Sequence, residues 1–358
     1  MPHELPPRPL PHYFFASITR ASDLWSRPFE VLPLDRARWN NGDFVVGRVT
    51  GKRNRLYVCE TRSGRMASVV RGDLLVGALG QRAATLEGVG DWRAIGPDLE
   101  MDSLTAAGLF GKATSVSPSL PDLMRLEYRG HVTRNGRALS MRHFIRHRAP
   151  VSFEMPVILL IGTSMSAGKT TAGQVIIRAL KYRGRTVVGA KLTGAARYQD
   201  ILSFRDAGAD HVIDFVEAGL PSTVCSEQEF RAALDNLLGH IQATGAEFLV
   251  AEAGASPLEP YNGSVAMEVL RPHVRFAVLC ASDPYAALGV QTAYGRHLRA
   301  DLVSGPAANT RAAIELVKKL TGLPALNLLD RHSYPALTDM LEAALEGAPG
   351  RETVRRAQ

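Results

Sequence analysis

The chain has 358 residues, 46% hydrophobic and 22% charged, which is long enough for two domains with cores of their own and excludes a disordered or fibrous composition. No apolar run reaches the roughly 20 residues of a membrane span, and the N-terminal MPHELPPRPLPHYF lacks a signal-peptide core, so a soluble, cytoplasmic protein without membrane association is expected. The net charge of +7 is uneven: residues 1–150 hold 22 Lys and Arg against 14 Asp and Glu, a net of +8, whereas residues 151–358 hold 20 against 21, a net of −1.

The basic residues of the first part are dispersed through strand-like segments without interleaved aromatic residues. That pattern reads as a solvated, arginine-rich surface and not as a nucleic-acid reader. Cys59, Cys225 and Cys280 lack metal-ligand spacing, and no disulfide or cysteine metal site is expected.

In chain order, PHELPPRPLP is a proline-rich arm without regular structure. DFVVGRVTG, RLYVCETRSG and MASVVRGDLLVGALG are β-rich runs punctuated by glycine, which predict a small barrel or sandwich. Residues 101–120 predict a short helical piece and a loop. LEYRGHVTRNGRALSMRHF then predicts a hairpin, with Asn135-Gly136 supplying the positive φ of a type I′ turn. Arg142–Pro150 reads as the interdomain linker; His143 and His147 within it lack a further metal ligand nearby, so a solvated basic connector is expected.

From Val151 apolar strands alternate with helices, the pattern of a parallel sheet covered on both faces. Strands are expected at 157–161, 186–191, 248–251, 276–281, 302–305 and 325–328, and a last helix at 334–345. The fold class is therefore α/β: a doubly wound, mostly parallel domain over 151–346, preceded by a smaller β-rich domain over 1–150 and followed by a disordered tail at 347–358.

The run PVILLIGTSMSAGKTTA carries the strongest chemical signal. A buried strand leads into a loop of small residues, Gly162, Thr163, Ser164, Ser166, Ala167 and Gly168, which lets backbone N–H groups converge on a polyphosphate. Lys169 places an ammonium on the terminal phosphates. The Thr170 hydroxyl completes the shell of a bridging Mg²⁺, and Thr171 continues into a helix whose positive dipole end faces the ligand.

Three further positions follow strand ends, where ligands of an open α/β sheet sit. Lys191 ends TVVGAK and is either a surface lysine or a holder of substrate and transferring phosphoryl charge. Asp200, with Asp206 as a weaker candidate, is either a helix cap or a Mg²⁺ ligand. Glu252, before the turn Ala253-Gly254-Ala255-Ser256, suits the metal-side acid. Asp283 and Asn309 are either helix caps or part of the nucleotide-base surround.

Gly162 and Gly168 enclose five residues where the usual loop has four. The longer loop GTSMSAGKT, with its Gly-Thr opening, resembles that of dethiobiotin synthetases, and the likeness to the dethiobiotin synthetase and cobyrinic acid amidase group extends over residues 156–330. The resemblance implies ATP and Mg²⁺ as cofactors, Lys191 facing a carboxyl-bearing substrate, and Asp200 and Glu252 holding the metal with Thr170. Ala253 stands where that group has glycine, and Lys-Leu-Thr-Gly replaces its Lys-Pro-Val. The arrangement of an N-terminal domain before a Gly-Thr loop is similar in outline to a family that includes a D-glutamate N-acetyltransferase.

These readings together imply Mg-ATP-dependent phosphorylation of a small-molecule carboxylate or carbamate followed by C–N bond formation, with Lys169, Lys191 and Glu252 catalytic. The substrate is carboxylate or amino-acid-like, and a homodimer is expected. No glutaminase segment is evident, so the nitrogen donor is ammonia, a substrate amine or a partner's product. The alternatives are an N-acyltransferase gripping acyl-CoA at the loop and a nucleotide-switched assembly or delivery ATPase.

Overall fold

The computed structural model describes residues 12–346 apart from 53, 149–150, 255, 296 and 298. The proline-rich arm, the end of the linker and the C-terminal tail lie outside the described residues.

Up to residue 148 the regular structure is strands and single 3-10 turns. Leu74–Leu79 pairs with Phe44–Val49, which pairs with Met124–Arg134, then Glu100–Thr105, then Leu109–Val116. Leu109–Val116 returns to Leu74–Leu79 in parallel through Leu109 opposite Ala78 and Phe110 opposite Leu79, so the pairings close a barrel. Closure gives each of these five strands a neighbour on both sides and so leaves fewer open edges. The Met124–Arg134 strand turns through Asn135 (φ 52°) and Gly136 (φ 70°) into Arg137–Ala138, as the hairpin signal predicts.

Residues 101–120 depart from the helical expectation. They form two antiparallel strands joined at Gly108, whose amide donates to the Thr105 carbonyl at 3.1 Å and whose φ is +87°. A Cβ there would come within 2.3 Å of the Ala16 Cβ, so the turn is pressed against the start of the Ser17–Thr19 3-10 turn and the barrel overrides local helix preference.

The second part holds a six-stranded sheet in the order His211–Asp214, Val187–Thr193, Phe248–Ala253, Val157–Gly162, Val274–Cys280 and Leu302–Ser304, every pairing parallel. The helices are α1 (Lys169–Tyr182), α2 (Tyr198–Asp206), α3 (Glu227–Gln242), α4 (Gly263–Leu270), α5 (Pro284–Tyr294), α6 (Arg311–Thr321) and α7 (Tyr334–Leu345). Ile158 and Leu160 pack with Ile176 of α1, Phe204 of α2 and Leu341 of α7. Val157, Leu159 and Ile161 face the opposite core, which explains why the whole strand is apolar.

Two strand assignments change. His211–Asp214 is an edge strand that the sequence conceals, because it is four residues long and pairs on one side only. Ala325–Leu328 is not a strand: Ala325 makes a single bridge to Val303, and the Asn327 side chain then accepts from the Leu329 amide at 3.0 Å to start a turn.

One apolar core runs without a break from Ile18, Phe44, Leu79 and Phe110 of the barrel into Phe215, Leu220, Phe230 and Tyr261 of the α/β part. Polar contacts stitch the same seam: the Ala83 amide donates to the Tyr261 hydroxyl at 2.8 Å, and Arg142 pairs with Glu229 at 2.6 Å. Among the described residues no helix is long and apolar enough to cross a membrane.

Candidate functional site

The loop between Gly162 and α1 is shaped by two glycines back to back. Gly168 caps α1 in the left-handed region (φ 96°), and a Cβ on it would lie 3.3 Å from the Cα of Gly305. Gly305 is tighter still, since a Cβ there would meet the Ala167 carbonyl oxygen at 2.3 Å. Ser166 also takes a positive φ, 61°, so the backbone curls as a phosphate cradle requires. The Gly-Thr opening has a structural use: the Thr163 amide donates to the Cys280 carbonyl at 3.0 Å, and its hydroxyl accepts from the Ser282 amide at 3.1 Å.

Lys169 is buried, and its Nζ donates to the Ser164 carbonyl at 2.7 Å. Ser164 is buried, while Ser166 is exposed and donates to Glu87 of the barrel at 3.2 Å. Across the cleft floor the Thr170 hydroxyl donates to Glu252 Oε2 at 3.0 Å.

Parallel register does the rest. Glu252 lies opposite Leu160 on one side and Lys191 on the other, and Lys191 lies opposite Asp214. This places three buried charges side by side at the carboxyl ends of adjacent strands. Lys191 Nζ pairs with Asp200 and donates to the Ala195 carbonyl at 3.2 Å. Burial lowers the Lys191 pKa, but Asp200, Glu252 and Asp214 outweigh it and the net shift is upward, so the ammonium is held. Burial, reinforced by Asp200, raises the Glu252 pKa against the pull of Lys169, Lys191 and Thr170.

The Thr170 hydroxyl and the Glu252 carboxylate form a hard-oxygen donor set that suits Mg²⁺. Among the described residues no three His, Cys, Asp or Glu side chains gather as a metal cage. Asp200 joins the cluster through Lys191. Asp206 is exposed at the far end of α2. Asp283 caps α5 by accepting from the Tyr285 and Ala286 amides at 2.9 Å, and Asn309 is exposed, with its carbonyl accepting from Asn327 at 3.3 Å. Neither Asp283 nor Asn309 lines the cleft. His143 accepts from the Ser140 amide at 3.0 Å, which gives it a local structural role. Burial pushes the thiols of Cys59, Cys225 and Cys280 up to about 12, leaving them unreactive.

The cleft encloses about 640 Å³ between the two parts. One wall is the loop with Lys169, Thr170, Thr171, Lys191, Asp200 and Glu252; the other comes from the barrel, with Leu56, Val58, Met66, Leu120 and Leu123 half-buried and Arg55 and Arg82 among them. Arg82 is fastened by Glu87 and by the Leu104 carbonyl at 2.9 Å, and its Nε is buried without a partner. Sequence reasoning missed this wall because nothing local marks a barrel residue as facing a distant loop. It also missed Asp214, whose signal is its place at the carboxyl end of HVID.

No known family profile matches the chain, and no curated protein matches it. Solved structures similar to it include the signal recognition particle receptor FtsY from Elizabethkingia anophelis, at 12% identity and TM-score 0.34, covering 54% of this chain and 68% of that one. A duf1611 family protein from Anabaena variabilis matches at 16% identity and TM-score 0.37, covering 59% and 66%. HypB from Helicobacter pylori, solved with nickel, matches at 15% identity and TM-score 0.33, covering 56% and 91%. The strand–loop–helix geometry and the parallel sheet make residues 157–345 a P-loop nucleotide-binding fold preceded by a β-rich part.

Proposed function

We propose that the protein binds Mg-ATP at the loop and uses it to activate a small-molecule carboxylate or carbamate, which a nitrogen nucleophile then captures. The observation that carries this reading is the position of Lys191, a buried cation between the loop and a second wall in a cleft of about 640 Å³, within the size range of sites for small ligands.

In the reaction a substrate carboxylate oxygen attacks the terminal phosphorus, the bond to the bridging oxygen breaks, and ADP leaves. The nitrogen lone pair then attacks the acyl carbon, the carbon–oxygen bond to phosphate breaks, and nitrogen loses a proton to solvent. Lys169 holds the terminal phosphate oxygens. Thr170 and Glu252, with Asp200 facing them, would hold Mg²⁺, which would supply charge neutralisation on the phosphates when bound. Lys191 steadies the phosphoryl charge as it moves to the substrate, so catalysis is mainly positioning and electrostatics.

The test begins with a thermal-shift screen of small carboxylates with Mg²⁺ and ATP, with GTP in parallel. A carboxylate that raises the melting temperature only with nucleotide is then supplied with oxygen-18 in its carboxyl group. Label appearing in inorganic phosphate is expected, and Lys191→Met should remove it while sparing nucleotide affinity. Amide formed without label in phosphate overturns the reading, and acetyl-CoA consumption without ATP selects acyl transfer. Hydrolysis stimulated only by a partner protein selects a switch.

A further inference from the structure

We infer that Glu60, a barrel residue, is a positioning residue for the nucleotide site, acting through α2. The inference rests on the reading of Asp200 as an acid facing the metal. Glu60 is fully buried at the end of the short Val58–Glu60 strand, and its carboxylate accepts from the Tyr198 amide at 2.8 Å, the Gln199 amide at 2.9 Å and the Ser17 hydroxyl. Arg197 Nε lies 3.7 Å away.

Tyr198 and Gln199 open α2, whose N-cap, Arg197, has no capping side chain of its own. The first amides of a helix lack intrahelical acceptors, and a carboxylate at that end also meets the positive end of the dipole. Here both roles fall to a carboxylate 138 residues earlier in the chain. Asp200 immediately follows the second clamped residue, so Glu60 sets where its carboxylate meets Lys191.

Neighbouring contacts seat the same helix. Arg20 of the barrel stacks over the Tyr198 ring at 4.4 Å and pairs with Asp214, the register neighbour of Lys191. Phe204 of α2 fills the space left by Gly189, where a Cβ would lie 2.8 Å from it. The strand of Glu60 also presents Val58 to the cleft, and its partner strand presents Met66. The wall that would touch a second substrate therefore carries the clamp on α2.

The experiment titrates Mg²⁺ against the ATP-induced melting shift in the parent and in Glu60→Gln, Ser17→Ala and Asp200→Asn. Glu60→Gln should leave the shift without Mg²⁺ unchanged and raise the Mg²⁺ midpoint about tenfold, the low end for residues that orient metal-binding groups. Ser17→Ala should move it the same way by less, and decides the matter if Glu60→Gln does not fold. A raised midpoint in Asp200→Asn with parent-like midpoints in the Glu60 and Ser17 variants overturns this inference alone. A parent-like midpoint in Asp200→Asn overturns the metal-facing reading of that residue and the inference with it.

Discussion

The Thr170 hydroxyl donates to the Glu252 carboxylate across 3.0 Å, joining the first turn of α1 to a strand end 82 residues later. The contact places a hydroxyl and a carboxylate together below the loop, beside the buried ammonium groups of Lys169 and Lys191. Glu252 is consequently a strained group: Lys169, Lys191 and Thr170 favour its charge, and burial together with Asp200 opposes it more strongly.

Lys169→Ala should abolish nucleotide-induced stabilisation and leave the fold intact. Among the described residues its ammonium donates to the Ser164 carbonyl, a single bond within the loop itself, so little native structure depends on it. Melting curves with and without saturating Mg-ATP check this; equal shifts in variant and parent would remove the basis for a functional loop.

Glu252→Gln should lower turnover far more than stability, and at neutral pH its melting temperature should equal or exceed that of the parent. The sign follows from linkage. A carboxyl whose folded pKa is raised above its ordinary 4.5 favours the fold most when protonated, and loses that contribution as pH rises through the folded value. The glutamine resembles the protonated form, so its advantage should shrink as pH falls toward 4.5. A variant much less stable than the parent at pH 7 would contradict this account.

Gly305→Ala should destabilise the protein by about 2 kcal/mol or more and weaken nucleotide binding, although residue 305 touches no phosphate in this scheme. Its φ is +85°, and the added methyl would collide with the Ala167 carbonyl that shapes the loop. Denaturant unfolding together with nucleotide titration checks both effects; binding at parental affinity would show that the loop does not depend on this contact.

Arg20→Leu should cost about 3–5 kcal/mol, because the fully buried Asp214 would lose its guanidinium partner. The double variant Arg20→Leu with Asp214→Leu should recover most of the loss. Urea unfolding of the two proteins tests this, and an unrecovered double variant would assign the cost to packing.

The sequence by itself determined the features that depend on neighbours in the chain. The buried strand, the small-residue loop and the Gly-Lys-Thr run are local, since phosphate binding requires consecutive amides beside a helix start. The Asn135-Gly136 turn was legible for the same reason: positive φ at consecutive residues restricts composition. The tertiary structure decided what depends on distant pairing. Residues 101–120 became strands because barrel partners outweighed helix propensity, and His211–Asp214 became one because a single neighbouring strand holds it. Register set Lys191 beside both Glu252 and Asp214, and only closure of the barrel against α2 brought Glu60 to the Tyr198 and Gln199 amides. Nothing near Glu60 in the sequence could signal that contact, because its partners are backbone amides, which any residue except proline provides.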